Sequence, residues 1–388
     1  MTTERVYLDW NATTPLRPEA RAAMVAALEL AGNPSSIHAE GRAARGLVEQ
    51  ARAAVAGAVG VTARDVVFTS GGTEAITLAL TPGLRVGSQP VERLLVSAVE
   101  HAAVLSGGRF APAQIEVVEV TREGVLDLEH LRRLLAGGRP ALLSLMLANN
   151  ETGAMQPVAE AAEIVHAAGG VVHVDAIQAL GKVPFRTKEL GADLVSLSAH
   201  KIGGPKGVGA LVLGADAQGL EPVLRGGGQE LGRRAGTENV AGIAGFGAAV
   251  AATMPTIVAD MARVENLRNR LEANVRQTND SVIFCESVAR LPNTTLFAVP
   301  GLRAETAVIG FDLAGVAVSS GSACSSGKVQ PSHVLRAMGC GPELAQSAIR
   351  ISLGWSSSET DIEACLKAWK KLAGNLTKRD HETVPERF

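Results

Sequence analysis

A lysine stands at the end of an apolar run in SLSAHKIGGPKGVGALVL (196–213), beside His200 and followed by glycines. Lysine at a strand end is ordinarily solvated, and on local grounds that reading holds for Lys201. In a partly dry cleft, desolvation instead lowers the pKa of an amine and makes it a nucleophile able to form a Schiff base. Gly203, Gly204 and Pro205 shape a tight turn that leaves room for a flat ligand.

A Schiff-base lysine points to pyridoxal 5'-phosphate, which needs an acid for its pyridinium nitrogen and a cradle for its phosphate. In HVDAIQALGK (173–182) Asp175 ends an apolar run, where its carboxylate keeps the ring nitrogen protonated; a helix N-cap is the alternative. Gln178, a turn later, reaches toward the phenolic oxygen. TSGGTEAITLAL (69–80) offers the cradle, two glycines and then Thr73 opening a helix, whose free N–H groups suit a phosphate. Ser198 and His200 add donors from a neighbouring strand end. His101, in EHAAV (100–104), is placed either to stack on the ring and shuttle protons or to cap a helix. Asn150, in NNETG (149–153), occupies a similar strand end.

The second chemical signal is SSGSACSSG (319–327), a serine–glycine run of the kind found in flexible surface loops, holding Cys324. An incidental surface thiol explains that stretch alone equally well. The other cysteines, Cys285, Cys340 and Cys365, show no paired or clustered spacing, which argues for reduced thiols and against an iron–sulfur scaffold or another metal site. GSACSSGKV also fails as a phosphate-binding loop, with five residues between its glycines and Val329 after the lysine.

The elements that must position these groups alternate. EARAAMVAALEL (19–30) and GRAARGLVEQARAAVAGAV (41–59) read as helices, as does PVAEAAEIVHAAG (157–169). DVVFTS (65–70), RLLVSAVE (93–100), ALLSLMLAN (141–149), VVHVDA (171–176) and DLVSLSAH (193–200) read as buried strands ending in polar residues. Strands alternating with helices predict an α/β fold with a mostly parallel sheet covered on both faces, whose ligand site lies at the strands' carboxyl ends. The glycine-broken run VAGIAGFGAAVAA (240–252) is expected to be an internal helix. After Pro255 a long amphipathic helix (257–277) leads into a smaller unit holding TTLFAVP (294–300), AVIGFDLAG (307–315), IRISLG (349–354) and a last helix (357–374), with a frayed polar tail.

The 388-residue chain carries a formal net charge of -2 with no long run of like charge, so nucleic acid and anionic membrane are not expected partners. Its first residues lack the apolar core of a secretion signal, and no window approaches a membrane span. Cytoplasm is the expected compartment.

Taken together the chain resembles the cysteine desulfurases of the NifS/IscS type, within the aspartate-aminotransferase-like (fold type I) pyridoxal phosphate enzymes. The resemblance is carried by YLDWNATTP (7–15), NPSSIHAEG (33–41), TSGGTEA (69–75), VEHAAV (99–104), NNETG (149–153) and HVDAIQALGK (173–182). It continues through SLSAHKIGGPKGVGAL (196–211), GGGQELGRRAGTENVAG (226–242), SSGSACSSG (319–327), PSHVLRAMG (331–339) and IRISLG (349–354), in the family's order over nearly the whole chain.

The resemblance implies a large cofactor-binding domain (15–255) and a small α+β domain (1–14 with 256–388) carrying a mobile Cys324 loop. It makes Lys201 the Schiff-base residue, with Asp175, Gln178 and Asn150 around the ring and His101 stacked on it as acid and base. Gly72, Thr73, Ser198 and His200 hold the phosphate, joined by Thr237 from a neighbouring subunit, so a homodimer is the working unit. Arg350 takes the substrate carboxylate, to which Asn150 also lies close, and Cys324 accepts sulfur from L-cysteine as a persulfide. The product is L-alanine, and the sulfur passes to an iron–sulfur scaffold or another acceptor protein. A selenocysteine lyase or another pyridoxal-phosphate lyase on the same fold is the alternative. Two departures from the family pattern are Trp10 and Leu231.

Overall fold

The computed structural model describes residues 5–85, 90–214, 219–321 and 331–382, with side chains as far as 374. Cys324 lies outside the described residues, as do most of its serine–glycine neighbours.

A short strand β1 (Val6–Tyr7) precedes the strands of the main sheet, β2 (Val66–Thr69), β3 (Leu94–Ser97), β4 (Ile115–Val118), β5 (Leu142–Met146), β6 (Val171–Asp175), β7 (Leu194–Ser198) and β8 (Gly209–Leu213). These seven run in the order β2-β8-β7-β6-β5-β3-β4. All neighbours are parallel except β8, which is antiparallel to both β2 and β7. Strands β5 to β8 are buried along their whole length, which is why they read as unbroken Leu/Val runs rather than alternating ones. Alternate side chains still part to opposite faces. Val66, Phe68, Leu95, Leu143 and Val174 join one apolar cluster, while Val67, Leu94, Val96 and Leu142 join another. β4 has the partly exposed pattern of an edge, with Glu116 between its apolar residues.

The helix Val240–Thr253 is apolar nearly all round and packs against the helix Ala39–Val59. Gly247 permits the approach, since a Cβ there would stand 2.5 Å from the Ala51 Cα. Among the described residues no single helix is long and apolar enough to cross a membrane.

The later strands are β9 (Val282–Ile283), β10 (Thr294–Ala298), β11 (Val316–Ala317), β12 (Ser319–Ser320) and β13 (Ala348–Ser352). They form an antiparallel sheet β12-β13-β10-β9, with β11 pairing parallel to β1. Helices Ile257–Val275, Ala304–Leu313 and Glu359–Glu382 cover this sheet, so AVIGFDLAG proves helical over most of its length. The last helix runs eight residues beyond the expected 374, through a stretch that contains no glycine or proline to end it. Trp369 is its anchor, edge-on to Phe297 at 5.1 Å and stacked over Phe311 at 6.4 Å between ring centroids.

The N-terminal segment stitches the two sheets together. Leu8 N–H donates to Ala317 O and Leu8 O accepts from Ser352 N–H, both at 2.9 Å. Six residues on, Thr14 N–H donates to His200 O at 2.9 Å, at the end of β7. Trp369→Ala removes the largest fully buried side chain, packed against Phe297 of β10, and is expected to cost about 3–5 kcal/mol, read as a lower midpoint of urea unfolding.

Candidate active site

The polar carboxyl ends of the parallel strands converge on one cavity of about 220 Å³. Its walls include Gly72, Thr73, His101, Asn150, Asp175, Gln178, Ser198, His200 and Lys201, all marked from the sequence, together with Ile76, Met146, Ala148 and Ile177. Thr237, exposed on its segment, and Arg350 do not line it.

Lys201 closes a single 3₁₀ turn (Ala199–Lys201) directly after β7. Its amine donates to two backbone carbonyls, Asn11 O at 2.5 Å and Ala12 O at 2.8 Å. Burial, then the Arg350 charge, pull its pKa down to about 8, against the opposing pull of Asp9 and Asp175. The amine is therefore nucleophilic within reach of neutral pH. Asp175 ends β6; burial pushes its carboxyl up to about 6, although Oδ1 accepts from Ile177 N–H at 2.9 Å and Lys201 draws it down.

The helix Gly72–Ala79 follows β2 after Ser70 and Gly71, and its first residue is closely packed. A Cβ on Gly72 would lie 2.3 Å from Ile177 Cδ1 and 3.4 Å from Ser198 Cβ. That packing brings the helix N-terminus against the ends of β6 and β7. His200 faces Thr13, Nδ1 to Oγ1 at 3.1 Å, and burial with the nearby Lys201, Lys206 and Lys182 lowers it to about 4, so its ring is neutral. His101 caps the short helix Ala102–Leu105, its Nδ1 accepting from Ala103 N–H at 3.1 Å. The tautomer follows, with the proton on Nε2, and burial together with Lys201 and His333 lowers its pKa.

Arg350 projects from β13, behind the cavity. Its guanidinium donates to Asp9 Oδ1 at 2.6 Å and to Asn150 O at 3.0 Å, while Nε is buried without a partner. Asn150 thus connects cavity and guanidinium through its backbone.

Several residues of the site carry no distinguishing signal in the sequence. Asn11 is the foremost: its side chain donates to Thr294 Oγ1 (2.9 Å) and Asn150 O (3.2 Å) and accepts from Lys182 and Asn293. Lys182 is buried beside it, held well below the ordinary lysine range by burial and by Lys201 and Arg350. Glu100 accepts from Met146 N–H at 2.7 Å, keeps a second buried oxygen without a partner, and is pushed well up by burial and Asp175. Glu151, raised to about 7 by burial, accepts from Ser332 Oγ at 2.5 Å. All four lie within motifs quoted from the sequence, one or two residues from a marked position or, for Lys182, four from Gln178; what the sequence withholds is their partners.

Trp10 is buried and lies flat against Gly354, where a Cβ would come 1.9 Å from its ring; its Nε1 donates to Tyr7 O at 2.9 Å. Leu231 is 72% exposed with φ of 57°, next to Glu230 at 49°, two non-glycine residues in the left-handed region. Glu230 fixes them, its carboxylate accepting two hydrogen bonds from Arg52 (2.6 and 2.8 Å) and one from Phe68 N–H (3.0 Å). Cys285 and Cys365 are buried, with thiols pushed up to about 11 and about 12 by burial, so neither is an active nucleophile.

A domain model described as aminotransferase class-V matches residues 6–365. A cysteine desulfurase of Cereibacter sphaeroides is 44% identical over 381 residues, covering 96% of this chain and 97% of its own length. Cysteine desulfurase IscS of Dictyoglomus turgidum is 39% identical over 376 residues, covering 96% and 95%. The X-ray structure of a NifS-like protein from Rickettsia africae matches with a TM-score of 0.87 at 38% identity, covering 95% of this chain and 99% of that one.

In cofactor-free protein, modification of Lys201 by an amine-reactive reagent is expected to rise through a midpoint near pH 8. An unperturbed lysine would titrate near 10.5. Peptide mapping across a pH series reads the midpoint, because only the neutral amine reacts.

Proposed function

The chain belongs to the aminotransferase class-V family and is a cysteine desulfurase; from that premise we propose that L-cysteine is held and cleaved beside Lys201, with Cys324 taking its sulfur. The observation that carries this reading is the meeting of a depressed amine, a buried carboxyl and a helix N-terminus at one cavity.

Pyridoxal 5'-phosphate fits the donor set. Lys201 is bonded to carbonyl oxygens rather than locked to a carboxylate, so its amine is free to react with an aldehyde. The helix start at Gly72 leaves backbone N–H groups and the Thr73 hydroxyl for a phosphate, with Ser198 and His200 alongside. Asp175 would face the pyridine nitrogen, Gln178 the phenolic oxygen and His101 the ring face. When bound, the cofactor supplies an electron sink for charge at the substrate Cα.

The chain's own residues do the rest. Arg350 exchanges its bond with Asp9 for the substrate carboxylate, using its planar fork. The Lys201 amine takes the Cα proton and His101 moves protons at the ring face. The Cys324 thiolate attacks the substrate sulfur; the Cβ–S bond breaks, and the three-carbon fragment takes up protons and leaves as L-alanine. Cys324, now a persulfide, delivers sulfur to an iron–sulfur scaffold or another acceptor protein. That chemistry needs a reduced thiol, which favours the cytoplasm.

Thr237 is exposed and away from its own chain's cavity, on the segment anchored by the Arg52–Glu230 pair. A homodimer would bring it to the phosphate of the second subunit. We assign residues 15–255 to a large domain and 1–14 with 256–388 to a small one, supported by the pairing of β1 with β11.

Incubation with L-cysteine without added thiol reductant is expected to give alanine and one extra sulfur on the Cys324 peptide by mass spectrometry. Neither signal from cofactor-loaded protein would overturn the reading. Lys201→Ala is expected to abolish alanine formation. Arg350→Lys, which loses the bidentate contact, is expected to raise KM for L-cysteine about tenfold or more, in steady-state kinetics.

A further inference from the structure

We propose that Lys182 is a positioning residue: its amine fixes the side-chain amide of Gln178 so that an N–H, rather than the carbonyl oxygen, faces the cavity. The inference rests on the reading of Gln178 as the partner of the cofactor's phenolic oxygen. Lys182 is 5% exposed, at the end of the turn that follows β6. Its Nζ donates to Gln178 Oε1 and, at 2.9 Å, to Asn11 Oδ1. Across the same amide, Gln178 Nε2 donates to Asn11 O at 2.9 Å.

These contacts settle which end of the amide is which. A backbone carbonyl can only accept, so Asn11 O must face Nε2, which leaves Oε1 toward Lys182, whose amine donates to it. With Oε1 taken by Lys182 and one N–H by Asn11, the second N–H of Nε2 remains for the cavity that Gln178 lines. A donor there favours an oxygen without a proton, whereas a flipped amide would present a carbonyl and repel it. Asn11 holds only one half of the amide; without Lys182, Oε1 would be buried and unpaired, and the group would turn to find a donor.

The arrangement needs no charge on Lys182. Burial, Lys201 and Arg350 all disfavour its charged form, and a neutral amine has two N–H groups for its two acceptors. Lysine reaches both from outside the cavity without occupying it, since the cavity lining includes Gln178 but not Lys182.

The test is a double-mutant cycle read by the dissociation constant for pyridoxal 5'-phosphate and by the visible absorption of the bound cofactor at fixed pH. Lys182→Met should weaken binding about threefold to tenfold, the worth of one neutral hydrogen bond, and shift the absorption. In a Gln178→Ala background the same substitution should change neither. Equal losses in both backgrounds would overturn the proposal, because a merely structural lysine would act regardless of Gln178. Lys182→Gln, which keeps an N–H for Oε1, should stay within about twofold of wild type; a tenfold loss there would also overturn it, and this arm does not need a folded Lys182→Met protein. If Gln178→Ala alone changes neither readout, the assignment of Gln178 to the cofactor fails instead, which separates the two conclusions.

Discussion

Everything around the cavity depends on packing three basic side chains, Lys182, Lys201 and Arg350, into one seam between the two sheets. Isolated buried charge is costly, and each of these groups is lodged against oxygen. What is unusual is the kind of oxygen. Both lysines donate to carbonyls or amides, and only Arg350 reaches a carboxylate, Asp9. A lysine tied to a carboxylate would stay protonated; a lysine tied to carbonyls and faced by other cations sheds its proton readily. Asn11 supplies four of the partners in this seam, through its carbonyl to Lys201 and Gln178 and through its side-chain oxygen to Lys182 and Asn293. The N-terminal segment is therefore part of the site's electrostatics, and its pairing with β11 and β13 holds it in place.

The main sheet contributes direction. In parallel strands the carboxyl ends all face one edge, so residues far apart in sequence reach a single cavity without any one loop having to be long. Asp175 ends β6, Ser198 ends β7 with Lys201 three residues later, and Gly72 follows β2. The antiparallel β8 is no exception to this logic. Its first residue, Gly209, meets the backbone of Gly71, where a Cβ would come within 2.5 Å, so β8 sets the position of the glycine turn that opens the helix.

This division explains which features are legible in the sequence. Buried strands announce themselves as apolar runs ending in polar residues, and although each of Lys201, Asp175 and Ser198 has an ordinary local reading, their shared position at strand ends makes them legible together. Arg350 is legible only through its resemblance to a family position, because IRISLG alone does not show which way a guanidinium points. Asn11, Lys182, Glu100 and Glu151 are invisible for a related reason. Each sits inside a recognisable stretch, but its role is defined by partners more than a hundred residues away (Asn11 with Lys201, Glu151 with Ser332) or on an adjacent strand. The edge strand β4 escapes notice because its alternation with solvent dilutes the apolar signal. Cys324 remains a reading of sequence, since its segment lies outside the described residues.

The seam also sets the balance between stability and chemistry. Lys201 has a folded pKa of about 8 against an ordinary value of 10.5, so unfolding takes up a proton between those values. Its contribution therefore opposes folding fully below pH 8, by about 3 kcal/mol, and fades only as pH rises toward 10.5. Asp175 works from the other side: with its carboxyl raised from 3.8 to about 6, the penalty is absent in acid, grows between those values and is complete above 6. At neutral pH both penalties stand together. They are tolerable because the apolar clusters beneath the sheets are extensive and contain no share of the site's charge. A ligand that offers a carbonyl carbon to Lys201 and a protonated nitrogen to Asp175 removes both penalties at once. The same features that make the amine reactive thus add to the affinity for such a ligand, and binding should stabilise the fold that the site itself weakens.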